Sequence, residues 1–399
     1  MTDLKVVMMG LGYIGLPTAA LIASRGIKVQ GIDVNQSVVD TINEGKIHIV
    51  EPALDGLVKH VVERGLLKAS TTVDTADVYL IAVPTPFKGD HEPDLKYVES
   101  ATRMILPNLK SGDLFIIEST SPVGTTDKMA KIIFEEKPEL KGKINIAYCP
   151  ERVLPGKVIY ELEHNDRVIG GLDEQSTKAA QDFYRHFVKG ELHATNAKTA
   201  EMCKLVENSS RDVSIAFANE LSMICDKAGI NVWELINLAN KHPRVNILQP
   251  GTGVGGHCIA VDPWFIVDRS PACSNLIRTA REVNDAKPEW VIERVKKCAD
   301  KFKSPVIACL GLAFKADVDD LRESPAFDIV KRLKHENIGE LIICEPNLKS
   351  HDDFELCTLD DAIKRADIVL LLVDHKSFKK CKASDLGEKV VIDTRGVIK

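Results

Sequence analysis

Apolar and polar positions alternate in two rhythms along the chain. Up to about residue 150, short apolar runs are separated by helical stretches. Leu4–Met9 is an apolar run that ends at Gly10-Leu11-Gly12, and a helix is expected from about Leu16 to Arg25, stopped by Gly26. Ile27–Val34, Val78–Val83, Leu114–Glu118 and Ile144–Tyr148 read as further strands. Strands that alternate with helices predict a parallel sheet with right-handed crossovers.

From about Ala197 the strand signal vanishes. Ala200, Met202, Leu205, Val206, Val213, Ile215, Phe217, Leu221 and Ile224 recur at helical spacing, and no proline lies between Pro155 and Pro243. This pattern predicts one long helix over 198–228 and a shorter one over 231–241. A glycine-dense stretch, 251–256, follows, and then a helix over Asn275–Ala299. The strand rhythm resumes with Pro305–Leu310, Glu340–Cys344, Ile368–Val373 and Lys389–Asp393. Ala366-Asp367 precedes the third of these much as Ala76-Asp77 precedes Val78. The expected fold class is α/β, with two similar parallel sheets flanking a helical middle. The expected domains are 1–196, 197–300 and 301–399.

Composition narrows the function. A length of 399 residues fits two or three domains, and 44% hydrophobic with 28% charged residues argues against disorder. The formal charge of −6 gives no bulk reason to bind nucleic acid or an anionic membrane, so neither is an expected partner. An anionic small molecule would need a local cationic pocket. There is no basic leader, and no segment approaches the ~20 apolar residues of a spanning helix, so a cytoplasmic protein is expected. Ten cysteines include no C-x-x-C pair, so no metal site is expected, and most thiols should be buried filler.

Three motifs carry chemistry. Gly10-Leu11-Gly12-Tyr13-Ile14-Gly15 follows a strand and opens a helix. Its glycines permit a tight turn, close approach of a pyrophosphate, and close helix–strand packing. Asp33 ends the second strand, where a carboxylate would accept from ribose hydroxyls and repel a 2′-phosphate. The site is therefore expected to take NAD in a Rossmann-like domain. Thr85 in 83–86 and Thr120 in 118–122 fall at the same carboxyl edge, where turn chemistry is an equal explanation. The second motif is Gly251-Thr252-Gly253-Val254-Gly255-Gly256-His257-Cys258, with Asp262 beyond it. A cysteine ending a glycine-dense loop is accessible to a ligand, which favours a nucleophile over filler. Third, Lys204, Asn208 and Arg211 share one helix face. By spacing alone they read better as a solvated face or as partners for Glu201 and Glu207. Glu151-Arg152, His242-Pro243-Arg244, and Lys315 with Asp319, Asp320 and Arg322 read alone as surface charge.

Together these motifs resemble the UDP-glucose/GDP-mannose dehydrogenase family. The matching pieces are GLGYIGLP (10–17), VPTP (83–86), ESTSPVGTT (118–126), PER (150–152), K-x-x-x-N-x-x-R (204–211), GVGGHCIAVDP (253–263) and GLAFKADVDDLRESP (311–325). Residues IHIVEP (47–52), PFKGDHEPD (86–94), AYCPERVLPG (147–156), ANKHPRVNILQPG (239–251) and VDPWFIV (261–267) are similar to the branch that acts on UDP-N-acetyl-D-mannosamine, with UDP-N-acetyl-D-glucosamine as the alternative. The resemblance implies a four-electron oxidation of a C6 alcohol to a carboxylate with two NAD reduced, supplying surface polysaccharide precursors. It implies two Rossmann-like domains around a central helical domain whose long helix builds a homodimer or higher oligomer.

Carried over by residue, the resemblance makes Cys258 the nucleophile. Lys204, Asp262 and Asn208 then handle water and the oxyanion, and Thr120 and Glu151 line the reacting carbon. Gly10, Gly12, Tyr13, Ile14, Gly15, Asp33, Thr85, Thr126 and Arg322 become cofactor contacts. Arg152, Val153, Lys204, Asn208, Arg211, His242, Arg244, Gly255 and Lys315 become substrate contacts. Two positions depart from the UDP-glucose branch: Pro155 replaces a glutamate and Val261 replaces a lysine. Both argue against UDP-glucose as substrate and divide water activation among Lys204, Glu151 and Asp262. Two rivals stay open on the sequence: a non-catalytic NAD-binding scaffold, and a one-step dehydrogenase of the 6-phosphogluconate type, which needs no thiol.

Overall fold

The computed structural model describes residues 4–89, 91–153, 156–256 and 258–398. It forms two compact units, the first ending at Glu207 and the second beginning at Asn208. The first is built on strands β1 (Lys5–Met9), β2 (Lys28–Ile32), β3 (Leu67–Ser70), β4 (Val78–Ile81), β5 (Phe87–Lys88), β6 (Glu92–Pro93), β7 (Leu114–Ile117), β8 (Asn145–Tyr148), β9 (Arg167–Gly171) and β10 (Leu192–Asn196). Eight of them make one sheet in the order β10-β9-β8-β7-β4-β1-β2-β3, while β5 and β6 pair separately. Strand order reverses between β1 and β4, which creates a crevice at their carboxyl ends.

Side chains of β1 alternate between two cores. Val6 and Met8 pack with Leu16, Ala19 and Ile22 of the helix Gly15–Ser24. Val7 and Met9 pack with Val98, Ile105, Met129 and Ile133 from the helices Lys96–Ile105 and Thr125–Glu136. A sheet covered on both faces needs unbroken apolar strands, which is why these runs stand out in the sequence. The outer strands do not. β9 carries Gly170 and Gly171, where added Cβ atoms would lie 2.2 Å from the Asn196 carbonyl oxygen and 2.4 Å from the Thr177 amide nitrogen. β10 is half exposed and polar. Neither strand, nor β3, was signalled by apolar periodicity.

The wholly parallel sheet expected for this domain needs one correction. β8 and β9 are antiparallel, with Ala147 opposite Gly171 and Tyr148 opposite Gly170. The link between them holds one short helix, Val158–His164. Glu51, buried, accepts from the amides of Gly156 and Val158 at 2.8 Å each and pins this link. The first residue of β9, Arg167, therefore lies at the carboxyl edge of β7 and β8.

The long helix Ala197–Ala228 begins in the first unit and ends in the second. Val232–Ala239, Asp262–Arg269 and Asn275–Ala299 are the helices that follow. The last has the bounds expected and runs through Pro288. Strands β11 (Val306–Leu310), β12 (Glu340–Cys344), β13 (Ile368–Leu371) and β14 (Val390–Asp393) form a parallel sheet in the order β12-β11-β13-β14. Val291, Ile292 and Val295 of the Asn275–Ala299 helix pack on this sheet with Ile329, Val330 and Leu333. Among the described residues, no helix is long and apolar enough to cross a membrane.

A buried polar chain ties the second unit's helices to its glycine loop. Arg281, only 1% exposed, donates to Asp212 Oδ1 at 2.6 Å and also pairs with Asp285. Asn284 donates to Asp212 Oδ1 at 2.8 Å, Asn219 donates to Asn284 Oδ1 at 2.9 Å, and the Gly251 amide donates to Asn219 Oδ1 at 2.8 Å. Removing one partner strands the other charge without water. Arg281→Met is expected to destabilise the second unit by about 3–5 kcal/mol. Arg103→Ala, which breaks the exposed pair with Glu136, should cost less than about 1 kcal/mol. Urea unfolding followed by circular dichroism checks both, and equal effects would contradict the ranking.

Candidate active site

The carboxyl edge of β1 shows what each glycine does. Gly10 has φ of +89°, and a Cβ there would lie 2.5 Å from the Ala82 carbonyl oxygen at the end of β4. A Cβ on Gly15 would lie 1.9 Å from the Gly10 oxygen. Both glycines are demanded by the fold. Gly12 is exposed, and among the described residues nothing lies within 4 Å of a Cβ placed on it. The fold does not require that glycine, so the space it leaves suits a ligand. Ile14 offers no side-chain cap to the helix that starts at Gly15, whose first turn has no acid. Asp33 is fixed beside this loop, accepting from the amides of Leu11 (3.2 Å) and Asn35 (2.9 Å). Tyr13 is 47% exposed at the loop's outer side. Uncapped amides, an open glycine and a fixed carboxylate fit the pyrophosphate and ribose of NAD.

The neighbouring strand ends are locked together. Ser119 Oγ donates to the Val83 carbonyl at 2.7 Å and accepts from its amide at 2.9 Å. Thr85 donates its hydroxyl proton to the Thr120 carbonyl at 2.6 Å, so turn chemistry accounts for that proton. Thr126 is fully buried, and its amide and hydroxyl both donate to Glu201 Oε1, at 2.8 and 2.7 Å.

These bonds also settle the partners of the long helix. Glu201 is engaged by Gly124 and Thr126, and Glu207 by Arg152, at 2.7 Å. Among the described residues neither acid pairs with Lys204 or Arg211, so of the two readings spacing allowed, the exposed Arg211 fits the solvated face. Glu151 parts from Arg152 and is buried, 8% exposed. Burial pushes its carboxyl above the usual range, while Lys204, Arg167 and the amides of Val153 and Arg152 pull it back. Val153 turns its side chain onto the sheet's apolar core.

Around Glu151 lies a cluster that sequence reasoning did not identify. Glu118, Cys149, Arg167 and Tyr184 are all nearly inaccessible. Tyr184 donates to Glu118 Oε1 at 2.5 Å, and the Arg167 guanidinium carbon lies 5.6 Å from the Tyr184 ring centroid. Burial raises the Glu118 carboxyl and pushes the Cys149 thiol up to about 12. Cys149 is therefore the inert filler expected of most thiols.

In the second unit the nucleophile candidate is held by backbone. Cys258 is exposed, and its carbonyl accepts from the amides of Val261 (3.0 Å) and Asp262 (2.9 Å). That single turn leads into the helix Asp262–Arg269. Asp262 is buried and accepts from Asn208 Nδ2 of the long helix. The glycine loop is packed tightly: a Cβ on Gly255 would lie 2.3 Å from the Glu323 oxygen, and one on Gly256 3.2 Å from the Phe314 ring. Gly253, with φ of +133°, approaches the carbonyl of Asn284. Pro288, four residues on, has no N–H to give that carbonyl. Arg211, His242, Arg244 and Lys315 are all exposed. Arg322 makes a forked ion pair with Asp320, its Nη2 lying 2.7 Å from Oδ2. Pro155 and His257 lie outside the described residues.

The second sheet repeats the first in outline but differs at the corresponding edge. Gly311, at φ +96°, follows β11, and the amides of Leu312 and Ala313 donate to Glu345 Oε2 at 2.7 and 3.1 Å. His375 Nε2 lies 3.1 Å from the same oxygen, and both side chains are buried. Where Asp33 leaves its loop open, Glu345 and His375 fill theirs.

Comparison with known proteins matches three stretches of the chain to one family. The UDP-glucose/GDP-mannose dehydrogenase family's NAD binding domain matches residues 4–188, its central domain 198–286 and its UDP binding domain 308–399. The chain is 56% identical to a UDP-N-acetyl-D-mannosamine dehydrogenase of Escherichia coli, over 100% of both chains. It is 57% identical to an NDP-N-acetyl-D-galactosaminuronic acid dehydrogenase of Ralstonia nicotianae, over 98% of this chain and 95% of that one. The solved UDP-N-acetyl-mannosamine dehydrogenase of S. aureus superposes with a TM-score of 0.89 at 44% identity, covering 99% of this chain and 96% of that one.

The two inner glycines can be separated by experiment. Gly12→Ala should keep the parent melting temperature but weaken NAD binding by about tenfold or more, the loss of one charge-assisted hydrogen bond. Gly15→Ala should lower the melting temperature, because its Cβ meets backbone. Thermal melts and NAD titration check the pair, and a Gly12→Ala variant with a lowered melting temperature and normal NAD affinity would contradict the assignment.

Proposed function

Because the chain belongs to the UDP-glucose/GDP-mannose dehydrogenase family across all three of its domains, we propose that it oxidises the C6 alcohol of UDP-N-acetyl-D-mannosamine to the uronate, with two NAD reduced per sugar. One observation carries the chemistry: an exposed cysteine sits one helical turn before a buried aspartate that is hydrogen-bonded to Asn208. The E. coli and S. aureus relatives support the choice of sugar. The proposed division into 1–196, 197–300 and 301–399 is supported by the three family matches, which follow it closely. The exposed apolar residues Phe217 and Ile224 on the long helix support self-association into a homodimer or larger assembly. The site of action proposed is the cytoplasm, and the product is a precursor for surface polysaccharide.

The Gly10–Gly15 loop, Asp33 and the β4 edge at Thr85 would hold NAD, two molecules of which, bound in succession, would each accept one hydride. Arg322 is a further proposed cofactor contact. Glu151, in its carboxylate form, takes the C6 hydroxyl proton, with Lys204 and Thr120 orienting the reacting carbon. Cys258 then adds as thiolate to the aldehyde, giving a thiohemiacetal whose oxidation leaves a thioester. Asn208 donates to the oxyanion. Asp262 and Lys204 orient water, which adds to the thioester carbonyl and expels the Cys258 thiolate with the uronate. Arg152, Val153, Arg211, His242, Arg244, Gly255 and Lys315 hold the UDP-sugar, the cations answering its diphosphate.

A second sugar is favoured by one observation. The Ralstonia relative is named for a galactosaminuronic acid, at an identity equal to that of the mannosamine enzymes. The comparisons do not favour the gluco epimer. A panel of UDP-N-acetylhexosamines with NADH counted per sugar decides. Two NADH per UDP-N-acetyl-D-mannosamine are expected, and one NADH with released aldehyde would sink the thioester route. Preference for the galacto epimer would change the sugar and leave the chemistry.

Cys258→Ser is expected to fold and bind both ligands but to lose turnover by about a thousandfold, because a hydroxyl is scarcely ionised at neutral pH and a serine adduct gives a stable ester. Uronate formation near the parent rate would remove the nucleophile assignment.

A further inference from the structure

The antiparallel strand β9 brings a guanidinium to the edge where Glu151 works. The β8–β9 register pairs 147 with 171 and 148 with 170. Continued past the strand end, it sets Glu151 opposite Arg167. On the other side, β7 and β8 pair Ile117 with Tyr148, and the Cys149 amide donates to the Ile117 carbonyl at 3.0 Å, which sets Glu118 beside Cys149. Three chain segments thus bring two carboxylates and one cation together out of water. The Arg167 side chain is 2% exposed, and its Nη2 donates to the Leu162 carbonyl at a long 3.4 Å. Its Nε and Nη1, Glu118 Oε2 and Glu151 Oε1 are buried without a hydrogen-bond partner among the described residues.

A fully buried arginine that forms no direct ion pair is costly unless its field is used. A structural arginine would lock bidentately onto one acid. Here one acid, Glu118, is tethered by Tyr184, and the charge of the one cation acts on both acids. We propose that Arg167 is a positioning residue for Glu151: its guanidinium, shared with Glu118, holds the Glu151 carboxylate charged and aimed for proton removal. Glu118 is the opposing element, a second buried acid that competes for the same cation. This rests on the reading of Glu151 as the base.

The charged groups around Glu151 come from every element near it: Lys204 on the long helix, Arg167 on β9 and Glu118 after β7. Burial works against the Arg167 charge, yet Cys149, Glu118, Tyr184 and Glu151 together hold it above its usual value. Removing Arg167 takes a positive charge from Glu151 and raises the pH at which it gains a proton. Removing the Glu118 charge does the reverse. The two changes should therefore move one pH limb in opposite directions, which a loss of folding cannot do.

The test is the acidic limb of kcat against pH for the intact enzyme with UDP-N-acetyl-D-mannosamine and saturating NAD. Arg167→Met should move the limb up by about one pH unit or more, the usual effect of an opposite charge a few ångströms away. Arg167→Lys should return most of that shift. Glu118→Gln should move the limb down. Because Arg167→Met could unfold the sheet edge, Glu118→Gln, nearly isosteric, stands as the independent arm. Limbs that stay in place in Glu118→Gln and in folded Arg167 variants would overturn the inference. Glu151→Gln separates the two readings. If it abolishes the limb while the other variants leave it unmoved, only the role of Arg167 and Glu118 fails. If the limb survives in Glu151→Gln, the base assignment itself falls.

Discussion

Carboxylates that accept backbone amides, three of them buried and one half-buried, fix four loops around the candidate sites. Asp33 holds the glycine loop after β1, Glu201 the turn at Gly124–Thr126, Glu51 the link after Glu151, and Glu345 the loop after β11. Loop amides at strand ends have no ladder partner and cannot be left dry. A carboxylate satisfies two at once, and such charge-assisted bonds are worth about 1.5–3 kcal/mol each. The same device decides where ligands can bind. Glu201 fills the start of the helix Thr125–Glu136, and Glu345 with His375 fills the second sheet's edge. The helix at Gly15 has no side-chain cap, whereas a buried carboxylate fills the corresponding loop of the second sheet, so the first of the two similar sheets suits a dinucleotide.

The chemistry depends on a second use of carboxylates. Asp262 and Glu151 are buried but do not cap loops to exhaustion. Asp262 shares a hydrogen bond with Asn208, and Glu151 faces Lys204 and Arg167. Glu151 is held in a medium that raises the cost of its charge and beside cations that lower it. That balance suits groups that must gain and lose protons within a turnover. Cys258 differs from the buried thiols in the same sense. Cys149 and Cys309 are pushed up to about 12 by burial, whereas Cys258 is exposed on a turn.

Much of this was legible in the sequence because it follows from local sterics. The strand ends before Gly10 and Asp33 and the helix start at Gly15 are where spacing put them, and the helix Asn275–Ala299 has the bounds its periodicity gave. The glycine-dense loop reads as leaving Cys258 accessible, and Cys258 is exposed, but Gly253, Gly255 and Gly256 themselves pack against Asn284, Glu323 and Phe314. What stayed hidden depends on register. Arg167 opens a short strand with two glycines, and nothing local says that the strand runs antiparallel or that its first residue reaches Glu151. Glu118 sat inside a recognised motif without a role, because its neighbour Tyr184 is 66 residues away. The partners of Glu201 and Glu207 stayed hidden for the same reason. Helical spacing favours neighbours on one face, while tertiary contacts drew both acids elsewhere.

The central claim is that one thiol carries the sugar between two oxidations. Its most direct test is to quench the enzyme in acid during turnover with UDP-N-acetyl-D-mannosamine and NAD, and to map the peptides by mass. The account predicts a hydroxylamine-labile acyl adduct of the sugar on the peptide containing Cys258 and on no other cysteine peptide. Steady turnover to the uronate with Cys258 unmodified, or with the adduct on another residue, would contradict it.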